Sequence, residues 1–555
     1  MNHLYYGDNL TIMQRSMTKH LVDLIYLDPP FNSKKNYNLM YKNMTGKPVP
    51  EQADAFCDTW ELTAEKQEAA KAMPVLMREQ GVEDYYVQFW RLWIEALRHT
   101  QPHLLAYLIY MVERLLHMKS ILKPSGSIYL HCDPTASHYI KVMMDGIFGH
   151  RNFRNELIWK RTFAHGGASR WGDVHDTILF YTMSDTYTWN RVLQSLDASY
   201  VADKYRWTDQ RGRYSQIVMT GPGITKGASG QPWRGYNPTD AGRHWAVPKR
   251  AIEVLREEGC EIPSGLLDQL ELLYAHGFIF IPRKTDGTDG VPRFKMYLPK
   301  GQPVQDVVTD ISPINSQARE RLGYPTQKPI TLLDRIIQTS SSQGEIVFDP
   351  FCGCGTTIYS AEKNHRKWIG CDIAILSIQL VTNKLKKDYG LVEGRDFEVS
   401  GVPVSVEQAQ ALFKRDPFQF QHWVVEKVGG FPMQKKVADR GIDGRIYFET
   451  QRGLKEMVLS VKGGNIRPTD IRDLRGVLER EENAEMAGFL SLKEPSPAMR
   501  NEAGQAGKYE YSGVCYDRIQ MLTVQEVLEG KREFHTPSKV GEKVKRGQQA
   551  LPLGD

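Results

Sequence analysis

A carboxylate followed by two prolines and an aromatic ring ends an apolar run near the N-terminus. Residues 24–31 read LIYLDPPF, so the predicted strand leads into Asp28, Pro29, Pro30 and Phe31. The Asp28 carboxylate and the Pro29 carbonyl can each accept a hydrogen bond from an exocyclic amine, which favours the geometry in which the amine attacks a methyl group. The prolines fix φ and remove N–H donors, and Phe31 offers a face for an extruded base. A plain turn after a buried strand is the alternative interpretation.

A second apolar run enters a glycine-rich turn far downstream, where residues 346–357 read IVFDPFCGCGTT. Gly353 and Gly355 allow the backbone to approach a ligand closely, and the turn lacks the residues of a phosphate-binding loop. Asp372 follows Asp349 by about 20 residues, the spacing at which an acid meets a ribose hydroxyl in such strand–turn–helix units. Asp349 itself can receive an ammonium group. The candidate ligand-binding residues of this region are Asp349, Phe351, Gly353, Gly355, Thr356 and Asp372.

Together the two motifs resemble those of S-adenosylmethionine-dependent DNA amino-methyltransferases. The first motif precedes the second, and a long stretch between Arg151 and Arg319 separates them. This order resembles the beta class, in which a catalytic half, a target-recognition region and a donor half follow one another. The resemblance implies S-adenosyl-L-methionine as the cofactor and double-stranded DNA as the partner. By analogy it also implies a homodimer.

Three further segments match the same family. YGDN, with Asp8, resembles the segment that lines the donor's adenine pocket, and YPTQKP, with Lys328, resembles the one that closes over the donor's amino-acid end. For Asp8 and Lys328 the alternative is an ordinary solvated charge. GSIYLHCDP, residues 126–134, resembles the strand beside the catalytic strand.

The Asp-Pro-Pro-Phe form favours adenine N6 as the target, because cytosine-N4 enzymes of the family more often carry serine at the first position. A cytosine-N4 enzyme with an inactive C-terminal domain is the alternative. A protein-glutamine methyltransferase is disfavoured, because it would more often show asparagine there and would not need the long insert. A protein that only senses the donor is also disfavoured, because it would not need the intact motif from Asp28 to Phe31.

The C-terminal part predicts a second fold with the order helix, hairpin, helix. It resembles the PD-(D/E)xK nuclease fold in its Mrr-like restriction branch, and this resemblance implies a divalent cation such as Mg²⁺ at Asp443 and a catalytic role for Lys462. Ser460 occupies the place of the second acid, and a hydroxyl binds hard cations poorly. Gln421, Glu426 and Glu449 are residues that can compensate. Two hypotheses stay open: a modification enzyme whose C-terminal unit only binds DNA, and a single-chain restriction–modification protein that also cuts.

These patterns predict an α/β protein with a doubly wound, Rossmann-like methyltransferase sheet in permuted order and a C-terminal α/β nuclease-like domain. The expected divisions are a catalytic half (1–150), a target-recognition region (151–320), a donor half (321–400), a nuclease-like domain (405–530) and a flexible basic tail (531–555).

Composition agrees with a DNA-binding enzyme that relies on local basic patches. The net charge of the 555 residues is only +5, so DNA contacts must come from particular segments. Candidates are the basic and aromatic stretches 159–171, 231–238 and 242–250, although their aromatic rings can instead be buried. The seven cysteines are scattered, no signal peptide is recognised, and the apolar stretch from Leu104 is too short and too charged to span a bilayer. We therefore expect a cytoplasmic protein without membrane attachment.

Overall fold

The computed structural model describes residues 1–30, 60–134, 136–162, 171–285, 287–315, 318, 320–322, 326–433, 441–451 and 453–537. Several predicted features lie outside these residues: Phe31, residues 163–170, Arg319, Tyr324 and Pro325 of the YPTQKP segment, the side chain of Glu449, and residues 538–555. The chain forms two compact units. One comprises residues 191–304, and the other contains the segments before and after it.

The segment before residue 191 alternates short strands with helices. Its strands are β1 (Asn2–Tyr6), β2 (Val22–Leu27), β3 (Leu122–Cys132), β4 (Phe153–Lys160) and β5 (His175–Thr182). Its helices are α1 (Asn9–Ser16), α2 (Ala64–Glu79), α3 (Asp84–Thr100), α4 (Pro102–Ile121) and α5 (Ser137–Met144), with a π-helical turn (Asp145–Gly149) and a 3₁₀ turn (His150–Asn152) after α5. Every residue of β2 is buried, as expected for a central strand covered on both faces. Among the described residues, no helix is long and apolar enough to cross a membrane.

The unit of residues 191–304 is built mainly from short antiparallel strands. Its strands are β6 (Leu193–Gln194), β7 (Trp207–Asp209), β8 (Gly212–Val218), β9 (Thr220–Pro222), β10 (Arg243–Trp245), β11 (Ile279–Phe280), β12 (Arg293–Tyr297) and β13 (Gln302–Pro303). Its helices are α6 (Ala198–Lys204), α7 (Lys249–Glu257) and α8 (Leu266–Ala275), with 3₁₀ turns at Ala228–Gly230 and Pro238–Ala241. The largest sheet of this unit has the order β11-β12-β8-β7.

After residue 304 the chain returns to the first unit. It adds the strands β14 (Val307–Val308), β15 (Ile346–Asp349), β16 (Lys367–Asp372) and β17 (Phe397–Ser400), and the helices α9 (Ile330–Ser340), α10 (Thr356–Lys363) and α11 (Ile375–Tyr389). These strands complete a nine-stranded sheet with the order β14-β4-β5-β3-β2-β15-β16-β1-β17.

The nine-stranded sheet is mixed, which confirms an α/β fold. The run from β3 to β17 is parallel throughout, whereas β5 pairs antiparallel with both β3 and β4. Strands β2 and β15, whose sequences are more than 300 residues apart, are direct neighbours, with Val347 opposite Leu24. Because neighbouring parallel strands end at the same edge, the segments that follow β2, β15, β16 and β1 meet there.

A second sheet forms the C-terminal part of the chain. Its elements are α12 (Val406–Arg415), α13 (Pro417–Lys427), β18 (Phe431–Pro432), β19 (Gly444–Thr450), β20 (Gly453–Lys462), α14 (Pro468–Arg480), β21 (Ala484–Ser491), α15 (Pro497–Gly504), β22 (Lys508–Tyr511), β23 (Val514–Asp517), β24 (Ile519–Thr523) and α16 (Val524–Glu529). The sheet order is β18-β19-β20-β21-β24. Strands β19 and β20 are antiparallel, and β20, β21 and β24 are parallel.

The two sheets share one apolar core. Phe420 and Trp423 of α13 are fully buried in the same cluster as Leu4 of β1, Ile378 of α11 and Phe448 of β19. Helix α13 begins with Pro417 at its first position, and the Asp416 side chain accepts a hydrogen bond from the Gln419 N–H, a favourable helix start. The helix therefore lies between the two sheets and belongs to the packing of both.

Candidate active site

The carboxylate predicted to be catalytic lies at the end of β2. Asp28 is partly buried, Pro29 is buried and Pro30 is exposed. The Nζ atom of Lys328 lies 2.5 Å from Asp28 Oδ2, and only 9% and 16% of the two side chains are exposed. Lys328 precedes α9 and was predicted to close over the amino-acid end of a donor. The structure places its ammonium group on the Asp28 carboxylate, and its expected role at the donor stays a prediction.

A buried hydrogen-bonded chain that the sequence analysis missed lies behind Asp28. Tyr26, on the same strand, makes a 2.8 Å hydrogen bond from its hydroxyl to His131 Nδ1. His131 Nε2 lies 3.0 Å from Asp176 Oδ2, and Arg161 Nε lies 3.1 Å from Asp176 Oδ1. His131 belongs to the segment 126–134, which was interpreted only as a neighbouring strand. A histidine inside an otherwise apolar strand was the available signal.

Charges around Asp176 make it an anion despite its burial. Burial raises the pKa of its carboxyl, but the hydrogen bond from His131 and the charges of His131, Lys328 and Arg161 outweigh this effect, so the net pKa lies below the ordinary value. Burial raises the pKa of Tyr26 far above that of a free phenol, and Asp28, Asp349 and Asp176 add to the shift. Tyr26 is therefore a neutral hydroxyl that holds the strand carrying Asp28.

The glycine-rich turn follows β15 directly beside β2. Gly353 and Gly355 have φ values of 49° and 84°, a region that side-chain-bearing residues rarely adopt. A Cβ atom on Gly355 would lie 2.7 Å from Val381 Cγ2, so the position has no room for one. Helix α10 starts at Thr356 without a side-chain cap on its N–H groups. The turn and the helix start therefore offer backbone N–H groups that a polar ligand can bind.

Two carboxylates border this turn. Asp372, at the end of β16, accepts hydrogen bonds from the N–H of Gly353 (2.8 Å) and from the N–H of Ala374 (2.9 Å). Asp349, at the end of β15, accepts one from the N–H of Phe351 (3.0 Å). The structure therefore brings Asp349, Gly353 and Asp372 together at the edge where β2 also ends.

Burial dominates the titration of both acids. It raises the pKa of Asp349 to about 7 against the hydrogen bonds from Thr357 and Phe351, and the charges of Asp28 and Asp372 add to the rise. Burial also raises the pKa of Asp372, although backbone N–H groups oppose this. Strongly shifted acid pKa values are common at functional sites.

Asp8 follows β1, the next strand in the sheet. Its Oδ1 atom accepts a hydrogen bond from the Thr11 N–H and caps α1, and its Oδ2 atom lies 2.5 Å from the Arg114 guanidinium. The Arg114 guanidinium also lies 3.4 Å from the centre of the Tyr110 ring. The carboxylate therefore supports the local backbone with both oxygens, and its expected contact with a donor's adenine stays a prediction.

The predicted nuclease residues lie around the start of β19 and the end of β20. Asp443 Oδ1 accepts a hydrogen bond from Gln421 Nε2 at 3.0 Å, and its Oδ2 accepts one from the Val461 N–H at 2.6 Å. Ser460, in place of the second acid, is buried, and Lys462 ends the strand. The side chain of Glu426, which belongs to α13, instead accepts a hydrogen bond from the N–H of Ile375 at the start of α11. Among the side chains that the structure describes, Asp443 is not part of a group of three or more possible metal ligands.

The described part of the chain contains one group of three possible metal ligands, in the unit of residues 191–304. It consists of Glu258, Cys260 and His276, all partly or fully exposed. Glu258 already pairs with the Arg211 guanidinium, and its other oxygen lies 3.1 Å from His276 Nδ1. Both carboxylate oxygens of Glu258 therefore already have partners within the protein.

The aromatic residues proposed for DNA contact in this unit point inward. Trp233 and Trp245 are buried and pack edge to face with ring centres 5.8 Å apart. Arg243 donates hydrogen bonds to Thr220, and Arg250 pairs with Glu257. For these two rings the alternative interpretation is correct, because a buried indole cannot stack on a base.

Comparison with known proteins places the chain in a family. A model of DNA methylases (N6_N4_Mtase) matches residues 22–383, which is more than half of the chain. The chain belongs to the DNA methylase family. A second model, NACHT-associated inactive restriction endonuclease 1, matches residues 418–523 of this methylase. The methylase region is therefore fused to a restriction-endonuclease-like domain.

Several curated proteins resemble this methylase. It is 31% identical over 283 residues to the Type II methyltransferase M.EcaI of Enterobacter cloacae. The aligned residues cover 50% of this chain and 57% of the relative. It is 24% identical over 372 residues to the Mod subunit of the Type III restriction-modification enzyme StyLTI of Salmonella typhimurium. This alignment covers 64% of this chain and 48% of the relative. It is 44% identical over 72 residues to the DNA adenine methyltransferase YhdJ of Escherichia coli, covering 13% and 24%. The chain spans about half the length of the first two relatives.

Proposed function

We propose that this methylase transfers a methyl group from S-adenosyl-L-methionine to the exocyclic amine of adenine in duplex DNA. The observation that carries the proposal is the adjacency of β2 and β15, which sets the Asp28–Pro29 bend beside the glycine turn. A carboxylate on a rigid bend, next to a backbone cradle with two acids, is the arrangement that amine methylation requires.

Each residue of the proposed site has a role in binding the target base or the methyl donor. Asp28 and the Pro29 carbonyl accept hydrogen bonds from the target amine, and Phe31, by its place in the motif, stacks on the extruded base. The donor site fits its ligand: Asp349 suits an ammonium group, Asp372 suits a ribose diol, and the turn from Gly353 leaves the backbone open to approach. When bound, S-adenosyl-L-methionine supplies an electrophilic methyl group.

The choice of adenine rests on the Asp-Pro-Pro-Phe motif, and the relation to an adenine methyltransferase supports it. Cytosine N4 is the second candidate. The proposed organisation keeps the permuted order of a catalytic half, a recognition region and a donor half, with residues 191–304 as the folded centre of the recognition region. A homodimer stays a prediction.

We further propose that the C-terminal domain assists DNA binding and does not cut. Ser460 replaces a carboxylate, and both Asp443 oxygens accept hydrogen bonds from Gln421 and Val461. Two satisfied oxygens and a hydroxyl make a poor site for Mg²⁺, which demands several oxygen ligands in octahedral geometry. The match to an inactive endonuclease family supports the same conclusion.

Methylation is tested with tritiated donor and duplex DNA, followed by digestion to nucleosides. We expect label on N6-methyladenine, and label on N4-methylcytosine would select the second candidate. Asp28→Asn keeps the shape of the side chain but removes its charge. We expect it to lower kcat at least 100-fold, the scale on which single electrostatic groups act, and to bind the donor like the wild type. Transfer at the wild-type rate by Asp28→Asn would refute the assigned role.

Cleavage is tested with supercoiled plasmid, methylated and unmethylated, in the presence of Mg²⁺ or Mn²⁺. We expect the plasmid to stay intact. Nicking that disappears in Lys462→Ala would show that the centre is active and would favour the single-chain restriction–modification hypothesis.

A further inference from the structure

The C-terminal domain contacts, through α13, the segments that follow β1 and β16. The Glu426 Oε2 atom accepts a hydrogen bond of 2.7 Å from the N–H of Ile375, the first residue of α11. The preceding residue, Ala374, offers α11 no side-chain cap. Glu426 therefore supplies from another domain the acceptor that a helix start requires.

This contact lies three residues from the acid proposed to hold the ribose. The Ala374 N–H donates to Asp372, and the next N–H along the chain, that of Ile375, donates to Glu426. Two acidic side chains thus hold consecutive N–H groups at the start of α11. The same Asp372 also receives the N–H of Gly353 in the glycine turn. Displacement of the helix start would therefore move both the ribose acid and the turn.

A second residue of α13 reaches the neighbouring segment. Gln419 is buried, and its Nε2 atom lies 3.4 Å from the carbonyl oxygen of Tyr6 at the end of β1. Gly7 has a φ of 145°, which favours glycine, and a Cβ atom there would lie 2.8 Å from Gln419 Nε2, so the amide side chain approaches this backbone closely. The Gly7 N–H in turn donates to the Asp372 carbonyl oxygen. The helix therefore contacts two of the segments that border the donor turn.

We propose that Glu426 and Gln419, which belong to the restriction-endonuclease-like domain, are positioning residues of the methyl-donor site. The fused domain completes the donor half of the methylase, and this role is independent of any cleavage. The inference rests on the proposed function, since it concerns the site assigned there to S-adenosyl-L-methionine. Both residues act by fixing the segments that carry Asp372 and Gly7.

Steady-state kinetics on the full chain test the inference, with the donor and a duplex DNA substrate varied separately. Glu426→Ala removes the acceptor for the Ile375 N–H, and we expect the KM for the donor to rise about tenfold, the scale of a lost helix cap. Because the damage is confined to the donor site, kcat and the KM for DNA should stay within twofold of the wild type. Glu426→Gln keeps an acceptor oxygen at the same place, and we expect it to restore the donor KM to within threefold. Lys427→Ala, an exposed neighbour on the same helix, is the matched control and should behave like the wild type.

The outcomes separate positioning from general stability. A merely structural contact would lower the fraction of folded enzyme and so lower kcat, without a selective effect on the donor. An unchanged donor KM in Glu426→Ala, or equal damage in Glu426→Gln, would overturn the inference. If Glu426→Ala does not fold, Glu426→Asp carries the test: its shorter side chain withdraws the carboxylate, and a donor KM equal to that of the wild type would overturn the inference. A wild-type chain that transfers no methyl group would instead overturn the proposed function, and the inference with it.

Discussion

Donor binding should depend on pH through Asp349. This carboxyl lies at the end of β15, and its burial, together with the charges of Asp28 and Asp372, raises its pKa to about 7. Only the ionised form attracts the ammonium group of S-adenosyl-L-methionine. The affinity should therefore rise as the pH rises through about 7, and fall as the pH drops below it.

The size of the effect follows from the pKa. With a pKa of about 7, about one tenth of Asp349 is ionised at pH 6 and most of it at pH 7.5, so the donor should bind about tenfold more weakly at pH 6. Above about pH 8 the donor's own amino group loses its proton, which sets the upper limit of the useful range. In the variant Asp349→Asn the side chain at this position cannot ionise. The variant should bind the donor at least about tenfold more weakly than the wild type at pH 7.5, because a charge-assisted hydrogen bond contributes about 1.5–3 kcal/mol.

Isothermal titration calorimetry between pH 6 and 7.5, at constant ionic strength, measures both quantities. The matched ligand is methylthioadenosine, which keeps the adenosine part and lacks the amino-acid end, so its affinity should not change over this range. Asp372 is the competing acid, since its pKa is also raised. An unchanged pH slope in Asp349→Asn, or the same slope with methylthioadenosine, would refute the reasoning and assign the titration to another group.

Two further predictions concern the surroundings of Asp28. Lys328→Met should lower the free energy of unfolding by about 3 kcal/mol, because it leaves a nearly buried carboxylate without its ion-pair partner. Urea denaturation measures this, and the double variant Lys328→Met, Asp28→Asn should regain much of the loss; no recovery would mean that the pair is not coupled. In the single variant Lys328→Met, the KM for the donor should stay within threefold of the wild type. A selective rise of this KM would support the predicted role of Lys328 at the donor. Tyr26→Phe should cost about 1–2 kcal/mol, because it leaves the buried His131 Nδ1 without the hydroxyl, and a loss below 0.3 kcal/mol would contradict this.

The two motifs were recognisable in the sequence because each combines a buried strand with residues of restricted backbone conformation. The sequences LIYLDPPF and IVFDPFCGCGTT predict their local structures, because proline restricts the allowed φ values and glycine extends them. The α/β class follows from the alternation of such strands with amphipathic helices. The helix–hairpin–helix order after residue 416 was similarly predicted from local patterns.

Other features depend on contacts between distant residues, and no local pattern shows which groups meet. The chain that joins Tyr26, His131 and Asp176 crosses three strands, and each residue taken alone is compatible with an ordinary strand. The ion pair between Lys328 and Asp28 likewise joins residues that are 300 positions apart in the chain.

What the sequence determined by itself is therefore the set of local conformations and chemical groups: a carboxylate on a rigid bend, a glycine turn between two acids, and a second α/β region that lacks an expected acid at Ser460. The tertiary structure decided which of these groups meet. It set β2 beside β15 and placed Glu426 of the C-terminal domain on the helix that follows Asp372. The physical reason is that local conformation depends on neighbouring residues, whereas burial, ion pairing and shifted pKa values depend on groups that only the packing of the whole chain brings within a few ångströms.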